Sequence, residues 1–235
     1  MKVGPLRLYP QDPCTDPAYR ALIAARNPAA WWPMDDNGGS GGDLADASGH
    51  GLHASLNPGD SCNYLQPGPQ GAPCSFAIEP SGFFNTNVTI GASQHYAIML
   101  TLRADGLPPS DKTPIGNWFT TGTMLYTQFG DLQVYHGATA YVPGYTVPMG
   151  DWFHALYGWD GSIVSLWING VNMLSAGTGS GPGVGDLLFI ATYANRGISA
   201  WDGALQHGVV FLDGDADAIL NDTEAALLAA AAMGA

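Results

Sequence analysis

Short apolar runs closed by Gly, Pro, Asn or Asp recur along the chain from about residue 75. Phe76–Ile78, Val88–Ile90, His95–Leu102, Met124–Phe129, Leu132–His136 and Trp152–Trp159 read as strands on this pattern. The clearest element is a meander: Trp152–Trp159, Asp160-Gly161, Ser162–Ile168, Asn169-Gly170 and Val171–Leu174. Asp-Gly and Asn-Gly favour the type I′ hairpin turn, which needs positive φ at both central residues. Within the middle strand Val164, Leu166 and Ile168 share one face, and Ile163, Ser165 and Trp167 share the other. One apolar and one mixed face suit a layer of a sandwich. Leu187–Ala191 and Leu205–Leu212 add further strands.

Helical signals sit at the two ends. Asp16-Pro17 is a helix start, with Asp16 able to cap free N–H groups and Pro17 at the first helical position. The helix is expected over Ala18–Arg26, stopping before Pro28, and a strand over Ala29–Met34. Asn221 to Glu224 has capping-box spacing ahead of an alanine-rich terminal helix. Asp35–Gly51, Gly177–Gly185 and Asp213–Asp217 read as loops. The pattern predicts an all-β fold, an antiparallel β-sandwich or jelly roll. A short N-terminal arm and helix occupy 1–28; the sandwich and its closing helix occupy 29–235.

Composition narrows the function. Of 235 residues, 46% are hydrophobic and 11% charged, enough apolar material for a large core. Twenty Asp and Glu against seven Lys and Arg give a net charge of -13, which repels nucleic acid and anionic membranes. No run of about 18 apolar residues is present to span a membrane. Met1–Arg7 has a basic start without an apolar region, so no export signal is expected. Cys62 and Cys74 flank a Pro/Gly-rich loop and could pair, leaving Cys14; thiols in a reduced compartment are the expectation.

Several segments resemble LamG-like, concanavalin A-like jelly-roll domains. They are Ala30-Trp31-Trp32-Pro33-Met34-Asp35-Asp36, Asp46-Ala47-Ser48-Gly49-His50-Gly51 and Asp151-Trp152-Phe153-His154-Ala155. Leu166-Trp167-Ile168-Asn169-Gly170, Ala200-Trp201-Asp202-Gly203 and Asn221–Leu228 follow in the family's order. The N-terminal piece, Asp16-Pro17 through Arg26 and then the Trp31-Trp32 strand, is similar to minor tail proteins of actinobacterial phages that carry such a domain. This implies a virion structural protein of the tail, assembled in the host cytoplasm. Its partners would be other tail proteins and host cell-envelope glycan, with a homo-oligomer compatible with tail symmetry. A free carbohydrate-binding module and a head decoration protein are the alternatives.

Enzyme chemistry finds little support. Laminarinase-type enzymes of this fold place two Glu and an Asp on alternate residues of one strand, so that the carboxyls converge. This chain has only Glu79, before Pro80, and Glu224, in the terminal helix cap. Gly38-Gly39-Ser40-Gly41-Gly42 matches G-x-S-x-G but lacks the flanking strand and helix of a nucleophile elbow. His50 and His53 lack companion ligands nearby in sequence, and His154 reads as a buried, hydrogen-bonded strand residue. No catalytic residue and no resident metal is therefore expected. The resemblance does raise calcium, with Asp35, Asp43, Asp46 and Asp202 in the matching loops; turn capping is the competing role. For glycan stacking the candidates are aromatics in loop-like segments: Trp118, Tyr141, Tyr145 and Tyr193.

Overall fold

The computed structural model describes residues 17–34, 43–58, 62–69, 73–78, 82–106, 112–117, 122–178, 181–182, 187–192 and 200–234. Helix α1 (Pro17–Ala24) leads into strand β1 (Ala30–Trp32). Strands β2 (Ser55–Leu56), β3 (Cys62–Pro67), β4 (Pro73–Ile78) and β5 (Phe84–Thr89) follow. The centre of the chain forms β6 (Tyr96–Ala104), β7 (Lys112–Asn117), β8 (Thr123–Gln128), β9 (Asp131–His136) and β10 (Thr139–Thr146). Next come β11 (Trp152–Trp159), β12 (Ile163–Ile168), β13 (Val171–Gly177), β14 (Leu187–Ile190) and β15 (Gly203–Leu212). Helices α2 (Asp213–Ile219) and α3 (Asp222–Met233) close the chain. The expected arm and the Asp16 cap lie outside the described residues.

The strands make two antiparallel sheets, the β-sandwich jelly roll that the pattern predicted. The larger runs β13-β12-β11-β6-β15-β4-β3, with β1 added against β15; the smaller runs β10-β9-β8-β7-β14-β5-β2. Between them lies one apolar core. Ile98, Leu100, Phe153, Val164, Leu166 and Val210 from the larger sheet meet Phe84, Ile115, Leu125, Val134, Leu188 and Ile190 from the smaller.

The outer face of the larger sheet is apolar as well. Ala97, Met99, Leu156, Trp167, Val209 and Phe211 form a second cluster with Tyr19 and Ile23 of α1, Ala216 and Ile219 of α2, and Ala225, Leu228 and Ala232 of α3. Burying each large apolar side chain contributes about 1.5–3 kcal/mol, so these helices are integral to the sandwich. The segment Asp213–Asp217, expected as loop, begins α2 instead. No side chain caps it, so packing of Ala216 and Ile219 holds it, a force invisible in local sequence. By contrast, α3 has the expected cap: Asn221 Oδ1 accepts the Glu224 N–H at 3.0 Å. The Glu224 carboxylate turns away to pair with Arg26 of the α1 exit.

Turns show the same mix of agreement and correction. Asn169 (φ +49) and Gly170 (φ +79) make the predicted type I′ turn. Asp160-Gly161 does not: Trp159 pairs with Val164, and the Asp160 carboxylate accepts from the N–H groups of Ser162 (2.9 Å) and Ile163 (2.8 Å). The wider loop wins because that carboxylate satisfies two turn donors at once. Cys62 stands opposite Ile78. The side chain of Cys74, its suggested partner, lies outside the described residues.

Beyond the helices, the outer face of the larger sheet carries a buried polar group. A bulge in β15 between Gln206 and Val209 puts His207 at φ +53. Its ring has no exposed surface, stands edge-on to Tyr19 at 4.6 Å, and has no hydrogen-bond partner for either nitrogen among the described residues. His154 places Nδ1 3.2 Å from Thr101 Oγ1 and leaves Nε2 unpartnered among the described residues. Burial pushes both imidazoles down to about 3, and Arg20 and His154 depress His207 further in the same direction. In the unfolded chain both titrate near 6.5. Between 6.5 and about 3 the unfolded state binds protons that the folded state refuses, so acid favours unfolding. Stability should be level above pH 7 and fall below 6.5 by up to about 1.4 kcal/mol per histidine per pH unit. Denaturant titrations between pH 7.5 and 5 check this. The variant H207N, whose side chain tolerates the left-handed backbone, should roughly halve the slope.

Candidate functional site

Helices cover the larger sheet's outer face, while the ends of the sandwich carry exposed residues. One end gathers the last residues of β6, the β8–β9 turn, the β10–β11 connection and the start of β15. Backbone hydrogen bonds tie these pieces together. The Val147 N–H donates to the Gly130 carbonyl (3.0 Å), Gly150 to Ala104 (2.8 Å), and Asp105 to Asp202 (3.0 Å). Trp152 stands opposite Arg103 across the β11–β6 ladder.

At the tip of this end is Phe129. Gln128 pairs with Asp131, leaving a two-residue loop, Phe129-Gly130, with φ of +53 and +91. That is a type I′ geometry, normally filled by Asn, Asp or Gly at the first position. A bulky residue there costs about 1–2 kcal/mol. The ring recovers little of this cost through burial, because Phe129 is 83% exposed. Met149, on the neighbouring connection, is 50% exposed. The sequence pattern placed Phe129 at the end of a strand and Trp152 among core residues. The two-residue gap Gly130-Asp131 between the expected strands was the available signal for the turn, which sits one residue earlier.

Charged groups surround these apolar ones. The Arg103 guanidinium lies 5.5 Å from the Trp152 ring centroid. It is held there by Asp105 through two hydrogen bonds, Nε to Oδ1 at 2.7 Å and a terminal nitrogen to Oδ2 at 2.8 Å. Asp131 accepts the Thr146 hydroxyl at 2.7 Å, Asp151 is exposed, and Asp202 lies beside Gly106. The arrangement offers aromatic and thioether surface beside hydrogen-bond acceptors.

Of the four aromatics expected on loops, Trp118 and Tyr193 lie outside the described residues. Tyr141 and Tyr145 are not on a loop but on β10, an edge strand. An edge position admits Pro143, and Gly144 at φ +75 accommodates the register slip between the two tyrosines. Both are partly buried against the inter-sheet core. Tyr145 reaches the end described above: its ring is 5.9 Å from Phe153, and burial followed by the Asp151 charge raises its hydroxyl pKa.

Of the expected calcium residues, three are described, and Asp202 stands at the end described above. Asp35 lies outside the described residues, and Asp43 is exposed. Asp46 accepts the N–H groups of Trp31 (3.0 Å), Ser48 (2.9 Å) and Leu52 (2.9 Å) and the Ser48 hydroxyl (2.8 Å). Burial raises its pKa, but these four donors outweigh it and leave the carboxyl below its ordinary value. With its lone pairs so occupied, Asp46 is a turn lock. His53 Nδ1 accepts the Asp46 N–H (3.1 Å), and His50 Nδ1 lies 3.1 Å from the Ala29 carbonyl oxygen. No group of three His, Cys, Asp or Glu side chains positioned to hold a metal occurs among the described residues. The Gly38–Gly42 motif and Glu79 lie outside the described residues. At the opposite end a cleft of about 370 Å³ is lined by Asn27, His50, Leu212 and Asp213 among others. Its carboxylates are engaged, Asp215 by Asn27 (2.9 Å) and Asp213 by Gln94 (3.1 Å).

No protein-family model matches the chain, and no curated protein matches it in sequence. Solved structures share its fold. Domain 4 of AbnA, an extracellular GH43 arabinanase of Geobacillus stearothermophilus solved with arabinotriose, is 17% identical with a TM-score of 0.66. The match covers 86% of this chain and 98% of that one. Trypanosoma rangeli sialidase in complex with sialic acid gives 12% identity and a TM-score of 0.64, over 90% of this chain and 34% of the sialidase. The ligand-binding domain of botulinum neurotoxin serotype D, in complex with N-acetylneuraminic acid, gives 13% and 0.61, over 89% and 52%. At these identities the likeness is one of fold: a β-sandwich jelly roll.

Phe129→Asn should raise the unfolding free energy by about 0.5–1 kcal/mol, because Asn accepts the left-handed backbone. A higher denaturant midpoint at unchanged slope is the expected result. A lower midpoint would mean that the ring supports the fold.

Proposed function

We propose that this chain is a glycan-binding β-sandwich module that binds through the end carrying Phe129, Trp152 and Tyr145. The observation that carries the reading is Phe129 itself, an exposed aromatic held in a strained turn. Strain kept at an exposed residue points to a task other than folding. Aromatic faces stack on the apolar faces of sugar rings, while Asp151 and Asp131 supply acceptors for hydroxyl groups. The neighbours solved with arabinotriose and with sialic acid lend the fold a precedent for holding sugars. The module binds without cleaving: Glu224 is committed to Arg26, and Asp105 to Arg103.

The finer reading places the module on a virion, as a minor tail protein that meets the host envelope. It rests on the N-terminal sequence resemblance from Asp16 to Asp36. Because Tyr19 and Ile23 belong to the helix-covered core, the attachment is assigned to residues 1–16.

Two measurements test these statements. On an array of bacterial and plant oligosaccharides the wild-type chain should retain at least one glycan, and F129N and W152A should each weaken that binding about tenfold or more. Unchanged binding by both variants would remove this end from consideration. For the tail setting, a chain lacking residues 1–16 should fold but stay out of purified particles. Normal incorporation would refute attachment through the arm, and full-length chain found only on heads would favour decoration.

A further inference from the structure

The same end carries information on the class of glycan, an inference that rests on the binding reading above. Binding a carboxylate-bearing sugar, such as a sialic or uronic acid, calls for a cation free to pair with it, usually Arg in a fork-to-fork geometry. Among the described residues Arg103 is the cation at this end, and Asp105 occupies the Nε edge of its guanidinium at 2.7 and 2.8 Å, neutralising its charge. Its central carbon lies over the Trp152 ring, 5.5 Å from the centroid. The other described cations are no better placed. Arg26 is paired with Glu224, Lys112 is buried, and Arg20 lies over Trp31 beneath α1. The same end of the sandwich also presents Asp131, Asp151 and Asp202. Among the described residues an incoming carboxylate meets several negative charges and one positive charge already paired with Asp105.

The geometry points to a neutral glycan as the ligand, with acidic sugars rejected by the Asp105-locked Arg103 and the surrounding carboxylates. Neutral hydroxyls have no such penalty, because they donate to carboxylates and stack on the aromatics. This sets the chain apart from neighbours of its fold solved with sialic acid.

The test uses the full chain and matched pairs of arabinosyl, galactosyl, glucosyl and mannosyl oligosaccharides, each with and without a terminal uronic or sialic acid. At about 20 mM salt at least one neutral member should bind tenfold or more tighter than its acidic partner. That gap should shrink towards threefold at about 500 mM salt, where charges beyond a few ångström are screened. D105N, which frees the Arg103 fork, should tighten the acidic partner at least threefold without strengthening the neutral one. Equal or tighter binding of the acidic members by wild-type chain overturns the inference and leaves the binding reading standing. A gap indifferent to both salt and D105N also overturns it, because shape would then be the cause. Failure of every member to bind overturns the binding reading and this inference with it.

Discussion

A sheet that is apolar on both faces cannot leave either in water, and the larger sheet here is such a sheet. Its inner side chains, Ile98, Leu100 and Phe153 among them, need the seven-stranded sheet. Its outer ones, Met99, Leu156 and Phe211, need helices. This double demand explains why helices flank the strands of a mainly β structure, and why α1, α2 and α3 all come to one side. It also limits where recognition can occur. A face already roofed by helices offers no groove, whereas the end carrying Phe129 keeps exposed chemistry.

Two turns, one at Asp46 and one at Phe129, illustrate the contrast between satisfied and unsatisfied local structure. At the Asp46 turn four donors converge on one carboxylate and lock it. At the Phe129 turn the backbone demands Asn or Gly and receives a phenyl ring that faces solvent. A third pattern occurs at His207, where a bulge buries an imidazole without partners. The first adds stability. The other two subtract from it, and they differ in what surrounds them: water and neighbouring acceptors at Phe129, a packed interior at His207. Only the first of those settings lets a ligand reach the strained group.

Much of this was legible along the chain. The meander from Trp152 to Val171 has its predicted strands because alternation and Asn169-Gly170 act over a few residues. Asn221 caps α3 as its spacing to Glu224 requires. The misses share a cause. Strand β10 holds Pro143 and Gly144, which read as a loop until the edge position and its register slip are known. Helix α2 holds Gly214 and lacks a cap, and it exists because Ala216 and Ile219 have a sheet to lie on. Phe129 looked like one more apolar strand residue because its exposure depends on where the hairpin ends.

The sequence by itself determined the class of fold and the sign of the charge. Period-two patterning, turn residues and capping distances are short-range effects, and the balance of 20 acidic to 7 basic residues is a plain sum. Tertiary structure decided which aromatics are exposed, which carboxylates are already occupied, and that Arg103 is neutralised by Asp105. Those outcomes depend on contacts between segments far apart in the chain, such as Gly130 with Val147 and Arg103 with Trp152, and no local rule encodes which distant backbone will arrive beside a given side chain.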